Sequence, residues 1–451
     1  MNRMITALTL TLAAASSVAF AETRSFTVNV TATAGQPVPV SLTLLQVRDA
    51  FGADFGTQYP SLRVMSGATE LPYQIDDIDG NGRPSAADEL SFLASGPVKI
   101  SASDQANTNP APTYAAAFTA SMTPEGVTRL AGPSNVVFEV NKQGLARIAG
   151  FGDVKGLLAD ELGNARIEGF SASTFYKDKQ YGAYLDGKMT MTGMTLVSSR
   201  VLAAGPARVA VVSKFTSPDF AGLDQTVITR AYATGAVDVE SNFNFRGYAD
   251  LMKLENQATR LVTDQDPAAI HLAPLFQRVA YADLTKQDVK GFYMDPKRKA
   301  VVTVDGQPYL NFPAAANLNN PFWGGEYVFA SPEAWRANFS PKLNVGVAEV
   351  AYGAPVLAPN YTAFVSGNQW QFESGEMRTG VFKWLPDELK PVAATSEMFT
   401  QPNPWAAHYF PGDKVSFHYQ YVPFKAGNGV DATRFLVKYQ KDVSSVAIAK
   451  P

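Results

Sequence analysis

The chain of 451 residues contains no cysteine. That excludes disulfides, thiol catalysis, cysteine-ligated zinc and a cysteine-linked lipid anchor together. Histidine is nearly as scarce. His271, His408 and His418 are the whole set, and none stands at the HxH or HExxH spacing of a zinc centre. There is no GxSxG elbow, Walker loop or dinucleotide fingerprint, which sets aside serine hydrolases and nucleotide enzymes of familiar type. Charge of one sign is lacking too: 38 Lys and Arg stand against 41 Asp and Glu, a net −3 without a basic block. Nothing of that kind draws nucleic acid. No segment is apolar for the ~20 residues that a membrane-spanning helix needs.

What is present points to export and to β-structure. The opening "MNRMITALTLTLAAASSVAFAETR" has Arg3 as its positive start, an apolar stretch from Ile5 to Ala15, and Ala19-Phe20-Ala21 as a small-x-small cleavage site. It reads as a secretory signal peptide over residues 1–21, with a mature chain from Glu22 in the periplasm or outside the cell. With 46% hydrophobic residues the remainder is globular. Its period is two. "SFTVNVTAT" puts Phe26, Val28 and Val30 on one face, and "AVDVESNFNF" sets Val237, Val239, Phe243 and Phe245 against Asp238, Glu240, Asn242 and Asn244. "VSFHYQY" alternates Val415, Phe417, Tyr419 and Tyr421 with Ser416, His418 and Gln420. Each is a half-buried strand of an antiparallel sheet. Asp305-Gly306 sits between two such runs as a hairpin turn. "RFLVKYQ" reads as a closing strand. Helical periodicity is rare; "SPEAWRANF", with Ser331 as cap and Pro332 in the first turn, is the one short helix expected. The 34 glycines and 29 prolines punctuate many short strands, as in a sandwich.

An Ala/Ser/Thr/Pro-rich stretch, Ser101 to Gly126, reads as a boundary or as a long loop with an edge strand in "TYAAAFTA"; in either case an N-terminal unit ends near it. The expected organisation is a small N-terminal β-sandwich over 22–125 and a larger unit over 126–451.

"QIDDIDGNGRPSAADELSFL" is the most pointed motif. Counted from Asp77, it places Asp77, Asp79 and Asn81 at positions one, three and five, Gly82 at six, Arg83 at seven, Ser85 at nine and Asp88 at twelve. That is the spacing of an EF-hand-type calcium loop, in which alternate residues of a tightly curled backbone point oxygens inward and the seventh offers only its carbonyl. The flanks "LPYQI" and "ELSFLA" read as strands, so the expectation is a structural calcium clamp between strands. The alternative is an ordinary acidic turn.

The segment Val201 to Phe245, with Gly205-Pro206 before one strand, "TRAYA" in the next and "TGAVDVE" leading into a third, resembles the antiparallel super-sandwich of galactose-mutarotase-like domains. That fold occurs in polysaccharide lyases and at the C-terminal end of some α-mannosidases. The front of the chain is similar to a secreted bacterial family whose members often accompany polysaccharide-degrading enzymes. The resemblance implies an all-β fold, a small N-terminal β-sandwich followed by a large antiparallel, mutarotase-like super-sandwich, and a carbohydrate-active protein. The leading expectation is cleavage of an acidic polysaccharide by β-elimination; glycoside hydrolysis by paired carboxylates stays open. The alternative is a non-catalytic glycan-binding or cell-envelope structural protein. No catalytic signature of those families matches residue by residue.

Two segments offer candidate chemistry. In "QPNPWAAHYFPGDKVSFHYQY", Trp405 and Tyr409 would stack on a sugar ring, and His408 or His418 would transfer a proton. In "NLNNPFWGGEYVF", Asn319, Asn320, Trp323 and Glu326 combine amides, an aromatic and a carboxylate around glycines; the amides would neutralise a uronic carboxylate. The competing reading of both is aromatic packing and glycine turns.

Overall fold

The computed structural model describes residues 23–52, 59–103, 110–178, 182–259, 269–274, 277–279, 286–288, 301–313, 328–330, 333, 335–351, 363–370, 377–383 and 407–449. The signal-type segment, Asn319, Asn320, Trp323, Glu326 and Trp405 lie outside them.

The alternating segments are strands, and the chain is an all-β protein of antiparallel sheets. In the N-terminal unit a five-stranded sheet contains Thr23–Asn29, Val98–Ser103, Arg63–Ser66 and Thr69–Glu70. A three-stranded sheet of Val38–Thr43, Glu89–Ala94 and Tyr73–Asp76 faces it. Val28, Val40, Leu90, Phe92, Val98 and Ile100 fill the space between. Beyond it lie two ten-stranded sheets. The first runs from Ala363–Trp370 through Ala249–Thr259 and Val154–Asp178 to Thr119–Met122. An exposed edge strand does form there, but at Thr119–Met122, so it shares only Thr119 and Ala120 with "TYAAAFTA". The second has the order Thr195–Val201, Arg208–Thr216, Leu223–Tyr232, Val237–Phe245, Lys414–Lys425, Val345–Ala351, Trp335–Ser340, Ile270–Pro274, Gln307–Pro313, Val301–Val304. Phe138, Ile148, Leu162, Ile167 and Leu254 of the first pack on Val209, Val211, Val227, Val239, Phe243 and Phe417 of the second. Asp305 and Gly306, both at positive φ (50° and 80°), make the tight turn from Val301–Val304 into Gln307–Pro313.

Two elements differ from expectation. "SPEAWRANF" runs into the strand Trp335–Ser340, not a helix. Trp335, Ala337 and Phe339 alternate into a core, and strands pair on both sides. Ladder pairing and burial override the capping signal. "RFLVKYQ" lies inside the helix Gly429–Ser444. Asn428 caps it, accepting from Asp431 N–H at 2.9 Å, and Ala432, Leu436, Tyr439 and Val443 form its buried stripe. A second helix, Leu44–Phe51, was not foreseen; Thr43 and Gln46 close a capping box at its start.

One core crosses the boundary near residue 125. Val28, Val40 and Phe92 of the N-terminal sandwich belong with Leu272, Trp335, Phe339, Val350 and Phe424 of the second large sheet and with Leu436 and Tyr439 of the C-terminal helix. The chain then returns, and Ala447–Ile448 adds a strand beside Thr23–Asn29. The outer face of the second large sheet is therefore covered at one end by the N-terminal unit and the helix.

Candidate functional site

The even-numbered residues of four neighbouring strands form that outer face. Register pairs Arg230 with Asp238, Ile228 with Glu240, Thr226 with Asn242 and Asp224 with Asn244. It also pairs Lys214 with Thr226, Glu240 with His418, Asn242 with Ser416 and Asn244 with Lys414. Along the strands the face passes from buried ions, through an apolar patch, to an open polar strip.

The buried ions join the two units. Arg208 and Arg230 are almost wholly buried, at 0% and 2% exposure. Arg208 Nε donates to Asp76 Oδ2 at 2.7 Å and Nη2 to Glu89 Oε2 at 2.6 Å. Arg230 donates to both Glu89 oxygens, Nε at 2.8 Å, and Nη2 also to Glu240 Oε2 at 2.7 Å. Asp76 and Glu89 come from the N-terminal sandwich, the arginines from the large sheet. Desolvation opposes the charge on Glu89, but Arg230 and Arg208 outweigh it and hold the carboxyl well below the usual range. Gln74 completes the joint, its Oε1 accepting from Ala207 and Arg208 N–H at 3.1 and 3.0 Å. Gly205 makes room for it: a Cβ there would lie 2.1 Å from Gln74 Oε1.

His418, on the polar face as expected, is tied rather than free. Its Nε2 is 2.9 Å from Asp238 Oδ2, and 37% of the side chain stays exposed. Desolvation favours the neutral imidazole, yet Asp238 outweighs it and the pKa stands above the ordinary histidine value. Charge balance agrees in sign. Among the described residues of the cluster, Asp76, Glu89, Asp238 and Glu240 face only Arg208 and Arg230, so an imidazolium offsets part of the excess.

The acidic loop docks beside this cluster, so its distance from the C-terminal segments is one of sequence only. It connects Tyr73–Asp76 to Glu89–Ala94, as the strand flanks implied. Ile78 enters the apolar patch of Leu202, Ala210, Val212 and Ile228. Arg200 Nη2 donates to the carbonyls of Asp77 and Ile78 at 3.1 and 3.0 Å. Oxygens of Asp77, Asp79 and Asp88 lie within 4.8 Å of one another. Asp77 accepts from Gly80, Asn81 and Gly82 N–H, Ser85 Oγ donates to Asp79 Oδ2, and Arg83 N–H donates to Asn81 Oδ1. Asp88 is 2% exposed and accepts from Ile78 and Ser85 N–H. Desolvation, aided by the charges of Asp79 and Asp77, raises its pKa above the normal range. A cation held among these oxygens would oppose that shift.

Beyond His418 the face opens. A cleft of about 310 Å³ is lined by Val197, Lys214, Asp224, Thr226, Asn242 and Asn244 among others. Asn242 Nδ2 donates to Glu240 Oε1 at 2.8 Å and its Oδ1 accepts from Ser416, so the strip is hydrogen-bonded back to the Arg230 cluster. Asp224 pairs with Arg246 at 2.6 Å. Two residues past Arg246, Tyr248 stands 49% exposed, its ring edge-on to Phe410, which is 38% exposed.

Of the other candidates, His408 and Tyr409 fall on a described strand, Ala407–Tyr409. His408 pairs with Asp250 at the margin of the first large sheet, whereas His418 belongs to the second. Tyr409 is core: it is 5% exposed and stacked on Phe245 at 4.2 Å, which withdraws its ring from any sugar. The arginine cluster was missed, although the sequence carries its signal. Arg208 in "GPARVAVV" and Arg230 in "TVITRAYA" are single cations within apolar strands, and such a residue requires a buried partner.

No family model and no curated relative matches the sequence. Among solved structures the chain is similar to a GalM/aldose epimerase homologue from C. elegans, at 13% identity over 69% of this chain and 100% of that one, with a TM-score of 0.32. It is similar also to galactose 1-epimerase from Lactobacillus acidophilus, at 12% identity over 70% and 100%, with a TM-score of 0.32. Likeness at this level transfers no residue role, and function has to rest on this chain's own side chains.

Proposed function

We propose that the protein is an exported carbohydrate-binding protein that lays a polysaccharide along the polar strip of the second large sheet. The cleft between Lys214, Thr226, Asn242 and Asn244 carries this reading. Amides, a hydroxyl and charged groups on rigid strands suit a ligand rich in hydroxyls, and Tyr248 with Phe410 offers an apolar surface for a ring face. Binding to a panel of immobilised polysaccharides tests it. At least one polymer is retained, and Asn244→Ala weakens retention by up to about tenfold, as loss of a ligand hydrogen bond does. Failure to bind any polymer contradicts the proposal.

A second reading, β-elimination on an acidic polysaccharide, is favoured by one observation: His418, partly exposed and tied to the buried Asp238, lies one register step from Asn242 and Ser416. It requires that UV-absorbing unsaturated ends appear on uronic polymers and that His418→Gln abolish them. A polymer bound but never cut rejects it. The acidic loop takes the role of a structural calcium clamp in either case.

A further inference from the structure

Charge along the strip is unevenly compensated. The outer-face carboxylates have cations: Asp238 has His418, Glu240 has Arg230, and Asp224 has Arg246. Lys214 and Lys414 have no carboxylate partner among the described residues, and both are exposed. Lys214 pairs in register with Thr226 and Lys414 with Asn244, so the two ammonium-bearing side chains flank the amides of Asn242 and Asn244 from opposite sides. Three inter-strand steps and a two-residue step along the strand separate them, about 16 Å at the usual spacings of ~4.8 Å and ~3.4 Å.

We infer that the bound polysaccharide is a polyanion whose acidic groups are read at two points, by Lys214 and by Lys414. This rests on the reading that the strip binds a glycan. Two cations that far apart cannot meet on one small anion; they match successive acidic groups of an extended chain. Lysine acts as a flexible point charge, so carboxylate and sulfate share the chemistry. The amides between them bond to the hydroxyls of the intervening sugar.

The test is affinity electrophoresis of the full chain through gels containing a polyuronate, a sulfated glycan, a neutral glucan or single-stranded DNA. Retention is expected in the first gel or the second, which identifies the acidic group, and it falls as ionic strength rises. Lys214→Gln and Lys414→Gln each weaken it about fivefold, the scale of one partly exposed ion pair. The double variant loses it. Lys438→Gln, on the exposed side of the C-terminal helix, changes nothing. Unaltered circular dichroism and melting confirm that the variants fold. A neutral glucan bound as tightly as the polyanions, with both lysine variants unaffected, overturns the charge reading and leaves glycan binding intact. Equal retention by DNA overturns it as well. No retention in any glycan gel removes both.

Discussion

Glu89 is the side chain on which the joint between the two units depends. It accepts from two buried guanidinium groups, so Glu89→Gln leaves buried positive charge without its counterpart. The expected loss is about 3–5 kcal/mol, measured by chemical denaturation. The pH dependence has two limbs. The depressed Glu89 pKa gives stability that is present above the unfolded value of about 4.3 and lost as pH falls through the folded one. The raised His418 pKa works in the opposite sense: its contribution is full below about 6.5 and lost as pH rises through the folded value. Melting temperature against pH should therefore decline on the alkaline side, and His418→Gln should flatten that decline alone. The sequence located His418 on the polar side of its strand because alternation reports which face a residue takes. It does not report what covers that face. Asp238 and Glu240 look like solvent-facing residues until the N-terminal sandwich closes over them.

Among the elements, the C-terminal helix and the acidic loop bind the molecule together. Leu436 is fully buried where the N-terminal sandwich, the large sheet and the helix meet, so Leu436→Ala should cost about 2–5 kcal/mol. Strand reading fails there because the four residues Val437 to Gln440 alternate over a short window. The longer stripe of Ala432, Leu436, Tyr439 and Val443 is helical, and only the longer window discriminates. The loop gave the opposite result: its strand flanks and its turn-forming glycines, Gly80 and Gly82 at φ 77° and 72°, follow from local chemistry. Its contact with Arg200 does not, since that residue lies on a different sheet. If calcium sits among Asp77, Asp79 and Asp88, a chelator lowers the melting temperature of the intact chain and added calcium restores it. Asp79→Ala removes the response. A melting temperature indifferent to both additions contradicts the clamp.

At the scale of the whole molecule, a two-residue period and frequent turn signals are enough to read an all-β chain of sandwich type; the large second sandwich follows only from the resemblance to mutarotase-like domains. They do not reveal that one core runs through both units, or that the last strand returns to the first. Those contacts are between residues hundreds of positions apart, such as Thr33 and Asp442 at 2.7 Å. The cleft is a product of the same assembly, because the N-terminal unit covers part of the outer sheet face and leaves the strip beyond His418 open. The most direct measurement of its role is glycan binding by Thr226→Trp, in which an indole fills the cleft from the middle of a rigid strand. The account predicts a variant that melts like the wild type and no longer binds the polysaccharide the wild type retains. Undiminished binding by a correctly folded Thr226→Trp would contradict it.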